Sequence, residues 1–224
     1  MILKKTSSPN YSHKQEVCNS LLHFFGVLFA IAVTITFAVI TTQKGLAFST
    51  TYPFYIYSIT MFITFSVSTF YHSAPLNSRL RQVSRVVDHS DIYAFVAGTY
   101  TPITLLAITN SDISIGLLIT EWSLAFIGIL ITALWFKHRI VSLIGYIIYI
   151  IAGWALMFVY PFNQCLPFDV FIYILLGGVA YTIGAITYGI GKKNPWFHTI
   201  FHVFILLGAV IQFVGVFNIL SHLH

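Results

Sequence analysis

Two histidines four residues apart, His198 and His202, open the last apolar run of the chain. On a helix this spacing puts both rings on one face, about 6 Å apart along the axis, where a single ion could take a nitrogen from each. The same spacing also suits a pair of histidines that hydrogen-bond between helices, so H-x-x-x-H alone leaves both readings open. His72, near the end of the second apolar run, supplies a third imidazole. Three imidazoles plus one solvent position is the ligand set of a catalytic zinc, and nitrogen donors without a thiolate favour zinc over metals that want softer ligands. Asp88, at the start of the third run, could then orient a water at the metal; its competing role is a charge stabilised by the helix dipole. Ser68 precedes His72 by four and shares its face, either in the site or in interhelical packing. His23, His89 and Asp91 belong to the same group by position. Asp91 reads as a helix-start carboxylate and His89 as interfacial, while Glu121 has no evident role.

These residues need a scaffold, and the composition says which. Of 224 residues, 58% are apolar and 8% charged. A soluble domain carries about 25% charged residues, so lipid must be the solvent for much of this chain. Apolar runs occur at about 20–42, 50–73, 88–109, 115–136, 140–161, 169–190 and 196–219. Each can cross a hydrocarbon core of about 30 Å as a helix. Lys44-Gly45, Pro75 to Arg85, Asn110 to Asp112, Lys137 to Arg139, Pro161 to Pro167 and Gly191 to Pro195 separate them. The expected fold is all-α: a segment 1–19, a seven-helix transmembrane bundle over 20–220 and a tail 221–224. The first run is too long for the apolar core of a cleavable signal and has no A-x-A site after it, so it reads as a span that stays in the protein.

Charge gives the orientation. Lys4, Lys5, Lys14, Arg79, Arg81, Arg85, Lys137, Arg139, Lys192 and Lys193 fall on one side, which is ten of the eleven cationic residues; Lys44 falls on the other. The positive-inside rule then places the N-terminus in the cytoplasm and the C-terminus outside. In that topology His23, Ser68, His72, Asp88, His198 and His202 share one depth, just inside the cytoplasmic boundary. Ionisable groups at such depth are costly and usually face the bundle interior. Trp122, Trp135, Trp154 and Trp196 read as lipid anchors. Cys18 and Cys165 fall on opposite sides and neither has a metal-binding spacing. The net charge of +5 is not a nucleic-acid signal, because no basic stripe with interleaved aromatics occurs. The expected partners are membrane lipids, and nothing fixes an oligomeric state.

Several motifs, taken together, resemble the hemolysin III family, the bacterial branch of the progestin and adipoQ receptor superfamily. They are Glu16-Val-Cys-Asn19-Ser-Leu-Leu-His23, Ser68-Thr-Phe-Tyr-His72, Val87-Asp88-His89-Ser90-Asp91-Ile92-Tyr93 with Ala97-Gly98-Thr99-Tyr100-Thr101-Pro102, Gly153-Trp154-Ala155-Leu156, Gly177-Gly178-Val-Ala-Tyr181-Thr182-Ile-Gly184, and His198-Thr-Ile-Phe-His202. The resemblance spans about Glu16 to Leu220. It implies seven helices with the N-terminus inside, and a zinc ion near the cytoplasmic face held by His72, His198 and His202. Asp88 matches an aspartate that contacts the metal through water, and Ser68 a motif serine. Alkaline ceramidases share this pattern, which implies hydrolysis of a lipid amide. Glu16, Asn19 and His23 match an N-terminal signature.

The leading expectation is therefore zinc-dependent hydrolysis of a lipid-like amide or ester. Asp88 would orient the water or take its proton, and Ser68 would donate to the developing oxyanion. A second expectation is a cytolytic pore. Against a monomeric channel, the helices read as apolar through their middle and outer halves. A third is a structural zinc that pins helices together in a signalling or lipid-homeostasis protein; there the fourth ligand position would be closed.

Overall fold

The computed structural model describes residues 11–136, 138–163, 166–190 and 194–223, with backbone alone at 139–143 and 160–163. Lys4, Lys5, Lys137, Cys165, Gly191, Lys192, Lys193 and the last residue of the tail, His224, lie outside the described residues. Among those described, every regular element is helical: α1 His13–Gln43, α2 Phe48–Ser73, α3 Arg79–Pro102, α4 Ser111–Trp135, α5 Arg139–Gly153, α6 Ala155–Asn163, α7 Phe168–Ile190 and α8 Trp196–Ile219. Five of them, α1, α2, α4, α7 and α8, are long and apolar enough to cross a membrane. They carry their apolar side chains outward. Ile119, Phe126 and Ile186 are 60–64% exposed, which lipid tolerates and water would not.

Two boundaries differ from the sequence expectation, and both differences matter to the site. α1 begins at His13, about two turns before residue 20. Ser12 and Gln15 form a capping box: the Gln15 side chain accepts from Ser12 N at 2.8 Å, and Ser12 Oγ accepts from Gln15 N at 3.4 Å. Glu16 and Asn19 thereby become helical and buried. α3 begins at Arg79, with the Ser78 side chain accepting from Arg81 N at 3.0 Å. Arg81, counted from sequence as a loop cation, is in fact fully buried inside a helix. α3 ends at Pro102 and passes into a π-helical turn over Ile103–Ala107.

The fifth apolar run is broken. α5 stops at Gly153, Trp154 forms a turn, and α6 continues from Ala155. Tyr100 of α3 staples the break: its hydroxyl donates to Gly153 O at 3.2 Å and accepts from Leu156 N at 3.1 Å. Helices that follow each other pack together from α1 to α5, α7 packs on α8, and α8 returns against α1. The two ends of the chain's helical region are therefore neighbours, which lets α1, α2, α3 and α8 share one site.

Two of the four tryptophans do more than face lipid. Trp122 Nε1 donates to Thr101 Oγ1 and Trp154 Nε1 to Thr182 Oγ1, each at 3.1 Å. Trp135 and Trp196 are about half exposed, as anchors should be.

Candidate metal centre

Four buried imidazoles meet at one end of the bundle: His23 from α1, His72 from α2, and His198 and His202 from α8. His23 Nε2 lies 2.8 Å from His202 Nδ1, and His202 Nε2 lies 2.9 Å from His198 Nε2. The rings of His72 and His202 are 4.9 Å apart and those of His72 and His23 5.9 Å. One nitrogen each of His23, His72 and His202 falls within 4.8 Å of the other two. Sequence reasoning gathered His72, His198 and His202; the nitrogens within reach of one ion are those of His23, His72 and His202, and His198 joins them through its contact with His202. The signal for His23 was its place in the Glu16–Asn19–His23 pattern, whose spacing of three and four puts all three residues on one face of α1.

A buried carboxylate fixes one ring. Glu16 Oε2 accepts from His72 Nδ1 at 2.7 Å, and Glu16 Oε1 accepts from the Arg81 guanidinium. The other nitrogen of His72, Nε2, is buried and has no hydrogen-bond partner. A histidine that donates one N–H to a carboxylate and leaves the second nitrogen bare is oriented and made more basic as a metal ligand. Arg81 also donates to the carbonyls of Tyr71 at 2.7 Å, His72 at 3.2 Å and Ala74 at 3.3 Å, and lies 4.5 Å from the Tyr71 ring centre. It closes the C-terminal end of α2, where the helix dipole favours a cation. One arginine therefore joins α1, α2 and α3 directly behind the histidines.

Other contacts set the remaining rings. Thr199 Oγ1 donates to Asn19 Oδ1 at 2.8 Å, tying α1 to the turn of α8 that carries His198 and His202. Tyr11 stacks on His198 with ring centres 4.7 Å apart and planes 10° from parallel. The donor set is nitrogen without thiolate: His23 Nδ1, His72 Nε2 and His198 Nδ1 are all buried and unpartnered, and a carboxylate stands behind His72. It fits a borderline ion such as zinc.

Asp88 and Ser68 are paired. The Ser68 hydroxyl donates to Asp88 Oδ1, so its proton is committed to the carboxylate and not free for an oxyanion. Both residues are buried and line a cavity of about 210 Å³ together with His23, His198 and His202. His89 Nδ1 donates to Arg85 O at 2.9 Å and stands 3.4 Å from Asp88 Oδ2. Asp91 is buried with neither oxygen partnered, as is Glu121 far along α4. The bundle away from the histidines is thus not purely apolar.

The fold and this cluster define a multi-pass membrane protein with a buried histidine centre able to hold a metal ion. Residues 11–213 match the family described as Haemolysin-III related. The chain is 32% identical over 204 residues to the hemolysin-3 homolog of Bacillus subtilis (strain 168), covering 91% of this chain and 93% of that protein. It is 32% identical over 201 residues to hemolysin-3 of Bacillus cereus, covering 89% of each. The chain belongs to the haemolysin III family.

Proposed function

We propose that this protein is a zinc-dependent hydrolase of lipid amides or esters, with its acyl-chain site inside the bundle. One observation carries the reading: His23, His198 and His202 line an apolar cavity together with the buried carboxylate Asp88, and His72, with its Nε2 unclaimed, stands against these histidines. His72, His198 and His202 are the assigned ligands, with His23 as a further nitrogen in reach. A zinc ion held by imidazoles supplies polarisation of a carbonyl and a more acidic water. Asp88 accepts the proton of the attacking water and passes it to the leaving group. Ser68 holds that carboxylate in place. Glu16 and Arg81 hold His72. Ile92, Phe95, Val96 and Ile205 line the cavity and exclude water from the acyl chain.

The topology belongs to the same proposal. α5 and α6 together count as one span, which gives seven with α1, α2, α3, α4, α7 and α8. With the buried Arg81 left out, nine of the other ten cationic residues fall on one side, which supports an N-terminus in the cytoplasm. The histidine centre then faces the cytoplasm, and membrane lipids are both its solvent and its source of substrate.

The name of the Bacillus cereus relative supports a second reading, membrane lysis through a pore. The largely apolar cavity wall speaks against a water-filled path through one chain. Metal content separates the two. Elemental mass spectrometry on detergent-purified protein should find about one zinc per chain, lost in both His72→Ala and His198→Ala, with fatty acid released from lipid amides by the wild type alone. Metal absent from the wild type, or retained in both variants, would overturn the hydrolase and turn attention to dye leakage from liposomes.

A further inference from the structure

The cavity has a second polar region, away from the histidines. Thr64 of α2, Tyr181 of α7 and Gln212 of α8 line it. Thr64 is eight residues from His72 on α2, and Gln212 ten from His202 on α8. At 1.5 Å per residue these lie about 12 and 15 Å deeper along the helices. The cavity wall is otherwise largely apolar, with Ile92, Phe95, Val96 and Ile205 among its residues.

These groups are placed, not incidental. Thr64 is 4% exposed and its hydroxyl has no hydrogen-bond partner. Elsewhere in the bundle threonine hydroxyls bond back to a carbonyl one turn earlier, as at Thr34, Thr60, Thr69, Thr99, Thr101 and Thr182. Thr64 does not. The Tyr181 hydroxyl is likewise buried and unpartnered. Two glycines seat the neighbouring groups. A methyl at Gly208 of α8 would collide with the Tyr181 ring, and one at Gly177 of α7 with the Gln212 side chain. Each helix thus gives up a side chain so that a polar residue of the other can lie against it. An unpaired hydroxyl is costly inside a hydrocarbon environment, and two stand in one wall. The cavity, about 210 Å³, exceeds the roughly 150 Å³ that suffices for benzene.

We infer that this floor recognises a hydroxyl or oxo group carried part-way along the bound chain, so that the ligand is an oxygenated acyl chain and not a plain hydrocarbon one. The inference rests on the proposed function for the chain's entry beside the histidines, but not for the metal. Thr64 and Tyr181 donate to the ligand oxygen, and Gln212 offers both a donor and an acceptor.

The test is binding to the full chain in nanodiscs, using ricinoleate, which has a mid-chain hydroxyl, against oleate, the same chain without it. Wild type should bind ricinoleate about five- to tenfold more tightly, the equivalent of one or two neutral hydrogen bonds. The Thr64→Val/Tyr181→Phe double variant should bring ricinoleate to the oleate value. If the double variant does not fold, Tyr181→Phe, which keeps the ring, should give part of that loss. Equal affinities in wild type, as an ordered water held by the floor would give, overturn the inference. So does a preference that survives in the variants. The ethanolamides of the two acids form a second arm. Preference among the amides assigns an acyl lipid, and preference among the acids alone assigns a free fatty acid; either upholds the floor. Zinc content on the same sample keeps the readings apart: a hydroxyl preference without zinc removes the hydrolase and retains the floor, and zinc without preference does the reverse.

Discussion

The chain has two glutamates, and the bundle treats them in opposite ways. Glu16 and Glu121 are 6% and 1% exposed, so both are withdrawn from water and lipid headgroups. Glu16 is held from two sides, by His72 Nδ1 and by Arg81. Neither oxygen of Glu121 has a partner. The difference separates a network from an isolated group. At the histidine end each buried charge completes another, so three helices are fixed in register by one cluster. On α4 a single carboxylate is buried without that return. Buried pairs are not strong evidence for stability in themselves, but a pair with one member removed is strongly destabilised.

The largest loss is expected at Arg81. Arg81→Ala leaves Glu16 and three carbonyls at the end of α2 without their donor. A loss of about 3–5 kcal/mol is expected, read as thermal unfolding in detergent. Stability near wild type would show that the network does not hold α1, α2 and α3. Glu16→Gln keeps the shape but weakens the acceptor for His72. Zinc affinity should fall about 10- to 100-fold, measured by competition with a chelator; an unchanged affinity would remove Glu16 from the centre. Ser12→Ala deletes the cap that begins α1 early enough to carry Glu16. A cost of about 1 kcal/mol is expected, and amide exchange at residues 13–16 should rise. An unaltered exchange rate there would mean that tertiary contacts alone hold the turn. Glu121→Gln should do least: a change under about 1 kcal/mol, or a gain, since no partner loses its counterpart. A larger loss would show that Glu121 holds a group of its own and is not the isolated half of the comparison.

Much of the site was legible by residue type. His198 and His202 at i and i+4 lie on one helix face whatever surrounds them, and Ser68 shares the face of His72 for the same reason. Depth followed from topology, because apolar run lengths and loop charge constrain where each helix end lies. The role of Ser68 was not legible. Spacing places its hydroxyl on the correct face, but the direction of one proton depends on a neighbour twenty residues away, Asp88. The Ser12–Gln15 capping box was present in the sequence, yet a run-length reading starts a helix where apolarity starts and passes over it.

Periodicity and composition thus determined, without the structure, that the chain is helical, lives in a membrane and gathers histidines toward one end. They are properties of single segments in contact with a solvent. The tertiary structure decided which charges complete one another: that Arg81 is a buried clamp and not a loop cation, that His23 joins the cluster, and that Thr64 and Tyr181 face a cavity unpaired. Those outcomes depend on which helices are neighbours. Local sequence does not encode adjacency between α1 and α8, which is settled when packing brings 180 residues' separation down to a hydrogen bond between Thr199 and Asn19.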